Sequence, residues 1–128
     1  MSADRTALEI FLRVTEEGAY ANLALKDGLK GADRQVSASV TARVYTALEH
    51  LNYCDYMIAA FAKGRIQQKI RGILRLFSAE LFFMETPAHA VCSRAVALTR
   101  EVGKAQLHGF VNGVMRAMSR ANALPPPR

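Results

Sequence analysis

Few side chains in this 128-residue chain have chemistry to offer: three histidines, two cysteines, and arginines and lysines crowded toward the C-terminal half. His50, His89 and His108 do not share metal-ligand spacing with one another, with a cysteine or with a carboxylate. His89 falls in the first turn of an expected helix and reads as a structural residue of a corner. His50 and His108 read as surface or boundary residues. Cys54 and Cys92 form no CxxC pair, so they read as free, buried thiols of a reducing cytosol. Ser78, Ser93 and Ser119 lack the strand–turn–helix setting of a nucleophile elbow, and no glycine-rich phosphate loop follows a strand. The expectation is a chain with no catalytic residues and no metal ligands.

What remains is charge. The formal net charge is +6, but it is unevenly placed. Residues 1–62 carry six Lys/Arg against eight Asp/Glu, a net −2, and residues 63–128 carry eleven against three, a net +8. A one-sided positive field attracts polyanions, and Lys/Arg contacts to phosphate add affinity without base specificity. Lys69, Arg71 and Arg75 share one expected helix, with Arg71 and Arg75 one turn apart. Arg116 and Arg120 repeat that spacing on the last helix. Arg5 and Arg13 lie near the polar side of the first helix. These seven form the candidate RNA-binding set, with Arg75 the nearest to an apolar stripe. Aromatic residues scarcely interleave with these cations, which favours backbone reading of folded RNA over base stacking. A solvated basic face, or one docked on an acidic partner, is the competing reading. Asn112, set among Phe110, Val111, Val114 and Met115, is either an RNA contact or a buried amide that bonds a neighbouring backbone and fixes helix packing, and the buried amide is the expectation.

The elements that position these residues are helices throughout. Ser2 caps a first helix with Ala7, Leu8, Phe11, Leu12 and Thr15 inward, and Gly18 ends it. Tyr20, Leu23 and Ala24 face inward on a short second helix broken at Gly28 and Gly31. Asp33 caps a long third helix carrying Val36, Val40, Val44, Ala47, Leu48 and Leu51. Tyr53, Met57 and Phe61 mark a fourth, and Lys63-Gly64-Arg65 is the hinge into the basic half. Ile66, Ile70, Ile73, Leu74, Phe77, Leu81 and Met84 keep helical spacing. Thr86 then offers a cap and Pro87 suits the first helical position, which predicts a tight corner. Val91, Cys92, Ala95, Leu98 and Val102 follow, with Gly103 as stop. The last helix buries Leu107, Phe110, Val111, Val114, Met115 and Met118, with Gly109 and Gly113 expected to allow close helix–helix approach. No segment alternates like a strand, so the fold class is all-α, a compact bundle of six or seven helices.

At this length the chain is one domain, and its 51% hydrophobic content suits a packed globule. The sequence has neither an apolar run long enough to span a membrane nor an apolar signal core at its start, so a cytoplasmic protein is expected. Residues 1–120 form the domain, and 121–128, ending in Pro125-Pro126-Pro127-Arg128, read as a linker or tail toward a missing domain.

Three stretches in order carry a resemblance. Ile70 to Leu81, then Thr86-Pro87-Ala88-His89-Ala90, then Gly109-Phe110-Val111-Asn112-Gly113-Val114 resemble the NusB fold family. The stretch Gly18-Ala19-Tyr20-Ala21-Asn22-Leu23-Ala24-Leu25 looks most like the NusB-type N-terminal domain of the Sun enzymes, the ribosomal-RNA small-subunit methyltransferase B family. The resemblance implies a NusB-like bundle that holds ribosomal RNA, with Arg71, Arg75 and Arg116 at positions often basic in that family. It also implies a separate C-terminal catalytic domain that binds S-adenosylmethionine and methylates cytosine. Nothing in this chain matches that domain. Two alternatives stay open: a free-standing NusB-like antitermination factor working with RNA and a ribosomal-protein partner, or a helical protein–protein scaffold that binds no RNA.

Overall fold

A computed structural model describes residues 2–121, so the tail expected over 121–128 lies, past Ala121, outside the described residues. The described residues form seven α-helices and one 3-10 turn, and no strand. They are α1 (Ala3–Glu17), α2 (Ala21–Gly28), α3 (Arg34–Glu49), α4 (Leu51–Phe61), α5 (Gln68–Phe83), α6 (Ala88–Glu101), the 3-10 turn Ala105–Leu107, and α7 (His108–Ala121). None is long and apolar enough to cross a membrane.

Local chemistry starts and stops these helices. Ser2 Oγ accepts from the Arg5 N–H and Asp33 Oδ1 from the Val36 N–H, so two expected caps are in place. Gly18 and Gly103 take left-handed φ angles of 74° and 80° behind α1 and α6, a region where a Cβ is costly. The predicted corner after α5 forms differently. Glu85 takes the left-handed turn at φ 57°, and Pro87, not Thr86, is the N-cap of α6, with no side-chain bond to it. Pro87 itself takes an extended ψ of 133°, so the helix starts one position later, at Ala88.

α5 is the axis. It packs against α1, α3, α4, α6 and α7. Ile70, Ile73, Leu74, Leu76, Phe77 and Ala79 are fully or almost fully buried. At Gly72 a Cβ would sit 2.8 Å from Leu12 Cδ2 and 3.0 Å from Leu8 Cδ1, so α1 crosses α5 closely enough that a larger residue would push these leucine methyls aside. The short corner folds α6 back along α5, and α7 then packs on α6. Two residues expected inside are outside: Tyr20 is 75% and Leu23 56% exposed. An eight-residue α2 buries only Ala24 and Leu25, a face too narrow for four side chains.

The core also holds four charges that the apolar pattern does not announce. Arg43 on α3 and Glu80 on α5 are each only 4% exposed. Arg43 Nη1 lies 2.8 Å from Asp4 Oδ1 on α1, and its Nε 3.1 Å from Glu80 Oε1. That second contact has ion-pair distance without hydrogen-bond alignment, and Arg43 Nη2 has no acceptor. Arg94 on α6 closes the square, donating to both oxygens of Asp4 at 3.2 and 2.8 Å and of Glu80 at 2.6 and 3.2 Å. Both guanidinium carbons lie over the Phe77 ring, 5.4 and 5.3 Å from its centroid. Burial alone would raise the Asp4 carboxyl, but the Arg94 hydrogen bond and the charges of Arg43 and Arg94 outweigh it and hold the pKa below 3.8.

Removing one member of a buried pair strands the rest, so Glu80→Ala is expected to lower stability by about 3–5 kcal/mol in urea unfolding at neutral pH. Gly72→Ala is expected to cost about 1–3 kcal/mol through overpacking against Leu8 and Leu12. Because folding lowers the Asp4 pKa, its contribution is complete above the unfolded-state value and is lost as pH falls through the folded one. Acid unfolding of Asp4→Asn should therefore show a shallower pH dependence below about pH 4 than the parent, with lower stability at neutral pH.

Candidate nucleic-acid interface

The seven arginines and lysines singled out in the sequence divide by what they touch. Arg75 is held by Asp55, its Nε 2.7 Å from Oδ1 and its Nη2 2.9 Å from Oδ2, with Glu16 at 3.7 Å. The Asp55 hydrogen bond raises the Arg75 pKa above its ordinary value despite burial. Arg71, one turn earlier, pairs with the same carboxylate at 3.7 Å. Arg13 donates to Asp27 of α2 at 3.0 Å. Arg5 pairs with Glu9 at 3.4 Å and reaches the Glu101 carbonyl. These four cations serve first as ties between helices.

The other three are free of carboxylates among the described residues. Lys69 is exposed in the first turn of α5, and Arg116 and Arg120 are exposed on α7. Lys63 and Arg65, which the sequence reading treated as a hinge, join them. Arg65 lines a pocket of about 150 Å³ with Ile66, Gln67, Ile70, Leu107 and Phe110, so the start of α5 and the start of α7 share one surface. Along α7 the strip continues with Arg116 and Arg120, one turn or about 6 Å apart along the axis. His108 Nδ1 lies 3.3 Å from Arg100 Nη2.

The outer face of α7 overturns three expectations. Phe110 is 36% exposed rather than buried, because it stands at the pocket mouth. Asn112 is exposed, and its Oδ1 accepts from Arg116 Nε at 3.3 Å. The Asn112 amide thus keeps its two N–H donors and one oxygen lone pair for other partners. A Cβ on Gly109 or Gly113 would meet nothing within 4 Å, so these glycines are not close-packing devices. The buried face of α7 is formed by Val111, Val114, Met115 and Met118 alone. The sequence carried a signal for this: 109, 112, 113, 116 and 120 recur at helical spacing opposite those four residues.

The arrangement presents hydrogen-bond donors and positive charge. Cys54 and Cys92 are buried and unpaired, and burial raises both thiols above 9.0. Among the described residues no three His, Cys, Asp or Glu side chains come together as a metal site. The surface fits an anionic polymer.

Comparison with known proteins gives this geometry its context. The model of the NusB family matches residues 1–120. The chain is 33% identical to the transcription antitermination protein NusB of Acidothermus cellulolyticus, over 98% of this chain and 92% of that protein. It is 29% identical to the probable ribosomal RNA small subunit methyltransferase B of Bacillus subtilis over 89% of this chain, but spans only 27% of that protein's length. A crystal structure of the antitermination factors NusB and NusE in complex with double-stranded RNA contains a chain that superposes with a TM-score of 0.85 at 25% identity, covering 93% of this chain and 94% of that one.

Because nothing packs against them, replacing Gly109 and Gly113 by alanine should raise helix stability, by about 1 kcal/mol at the interior Gly113 and by less at Gly109 in the first turn. Thermal unfolding of the double variant should show a higher Tm. An unchanged or lower Tm would mean that a neighbour does occupy that face.

Proposed function

The chain belongs to the NusB family, and on that footing we propose that it binds RNA through the cationic strip of residues 63–69 and the outer face of α7, as an antitermination factor acting with a ribosomal-protein partner. The observation that carries the reading is the set of exposed cations, Lys63, Arg65, Lys69, Arg116 and Arg120, left without carboxylates while the remaining arginines of the core are paired. Phosphates would take the place of the missing counter-charges, and each contact would release condensed cations from the RNA. The Asn112 amide, its oxygen held by Arg116, adds donors suited to phosphate or base acceptors. The match over nearly the whole of a NusB protein favours antitermination over the methyltransferase.

A second reading is supported by the Bacillus subtilis relative. There the chain would hold ribosomal RNA for a cytosine-5 methyltransferase, and the S-adenosylmethionine chemistry would belong to a separate catalytic domain.

The two readings part on the protein partner. Added NusE should raise the affinity for RNA if the chain works as an antitermination factor, whereas a domain that serves only a methyltransferase should show no enhancement. For the surface itself, Lys69→Glu with Arg116→Glu should weaken RNA binding by tenfold or more and flatten the salt dependence by about one unit of slope per lost phosphate contact. Arg75→Leu should leave that slope unchanged and lower stability instead, since Asp55 already occupies its guanidinium. Equal slopes for the charge-reversed and parent proteins would contradict the placement of RNA on this strip.

A further inference from the structure

At the other end of α5 from Lys69 lies a surface that the RNA reading does not use. Lys69 and Phe83 are 14 residues apart on one helix, about 21 Å along its axis. At that end His50 stacks on Phe83, with ring centroids 3.7 Å apart and planes 9° from parallel. Tyr53 meets Phe82 and Phe83 edge-on, each at 5.3 Å. Phe83 nevertheless stays 38% exposed. Beside the stack a shallow depression of about 370 Å³ is lined by Leu48, Glu49, His50, Leu51, Asn52 and Tyr53. Tyr45, also exposed, stands one turn before Glu49 on α3.

The electrostatics here are opposite to those of the strip. In a chain of net charge +6, residues 44–62 and 76–93, which build this surface, contain no lysine or arginine. Of their four carboxylates, Asp55 and Glu80 are committed to ion pairs. Glu49 and Glu85 are exposed, and neither has an ion-pair partner among the described residues. No cation lines the depression. A nucleic acid placed there would set phosphates against uncompensated carboxylates.

We infer that this aromatic surface docks an arginine-bearing segment of a partner protein. A guanidinium lies flat on an aromatic face while its N–H groups bond a carboxylate, and an ammonium lacks the planar fork to do both. The protein already uses that combination inside, where Arg43 and Arg94 cover Phe77 and pair with Asp4 and Glu80. On the surface the ring and the acids are present and the guanidinium has to come from outside.

The test is a titration of the isotope-labelled chain with a hexa-arginine peptide at neutral pH, followed through backbone amide shifts. Saturable shifts should centre on Glu49, His50, Tyr53, Phe83 and Glu85 and spare Lys69. Glu49→Lys with Glu85→Lys should weaken binding by about tenfold or more, the loss expected when like charge replaces opposite charge at a docking site. Phe83→Leu, which keeps the apolar bulk, should reduce hexa-arginine binding more than hexa-lysine binding. Shifts spread over the whole chain, or an affinity that survives the double charge reversal, would overturn the proposal. Concentration-dependent shifts at these residues without peptide would also overturn it, by assigning the face to a second copy of the chain.

Discussion

The partly buried square of Asp4, Arg43, Glu80 and Arg94 is the constraint on which the arrangement depends. Its members come from α1, α3, α5 and α6, so one network fixes four helices at a single depth in the core. Apolar packing tolerates small rotations and slides, whereas this pairing does not, because a misalignment leaves the buried Arg43 or Glu80 without water and without a partner. Phe77, beneath both guanidiniums, ties the square to the hydrophobic interior. Once these helices are set, the crossing of α1 over Gly72 and the return of α6 along α5 follow, and α7 has one face left to occupy.

The same network decides where the protein's charge is felt. Arg43 and Arg94 are neutralised inside, and Asp55 draws in Arg75 and Arg71 at the boundary. Four of the arginines that make the sequence basic are thereby spent on holding helices together. Part of the surplus emerges at residues 63–69 and along α7, and the rest at Lys26, Arg34, Arg100 and Lys104, none of which has a carboxylate partner among the described residues. The C-terminal end of α5 shows the reverse, with two unanswered acids beside exposed rings. A bulk net charge of +6 thus hides a local contrast between a cationic strip and an aromatic, mildly acidic face.

Much of this was legible in the sequence, and the rest was hidden for definable reasons. Helical periodicity, the Ser2 and Asp33 caps and the Gly18 and Gly103 stops are local signals, and the structure follows them. Apolar periodicity says which face of a helix is buried but not how wide that face is, so Tyr20, Leu23 and Phe110 were placed inside. Asn112, Gly109 and Gly113 look like packing positions in the sequence because they sit among apolar residues. On the helix they fall on the opposite side from Val111, Val114, Met115 and Met118. The ion square depends on contacts between residues as far apart as Asp4 and Arg94, and no spacing rule reports those. A partial signal existed, since Arg43 falls beside Val40 and Val44 on an apolar stripe and Glu80 sits between Ala79 and Leu81. A charge on a buried face implies a partner, but the sequence does not say which one.

The most direct measurement of the central claim is a backbone-amide footprint of a short RNA on the labelled chain at two salt concentrations. The account predicts shifts confined to residues 63–70 and to the exposed positions of α7, namely 109, 112, 113, 116 and 120, that recede together as salt rises. A footprint centred instead on Arg13, Arg75 and Asp55, or on the aromatic end of α5, would contradict it.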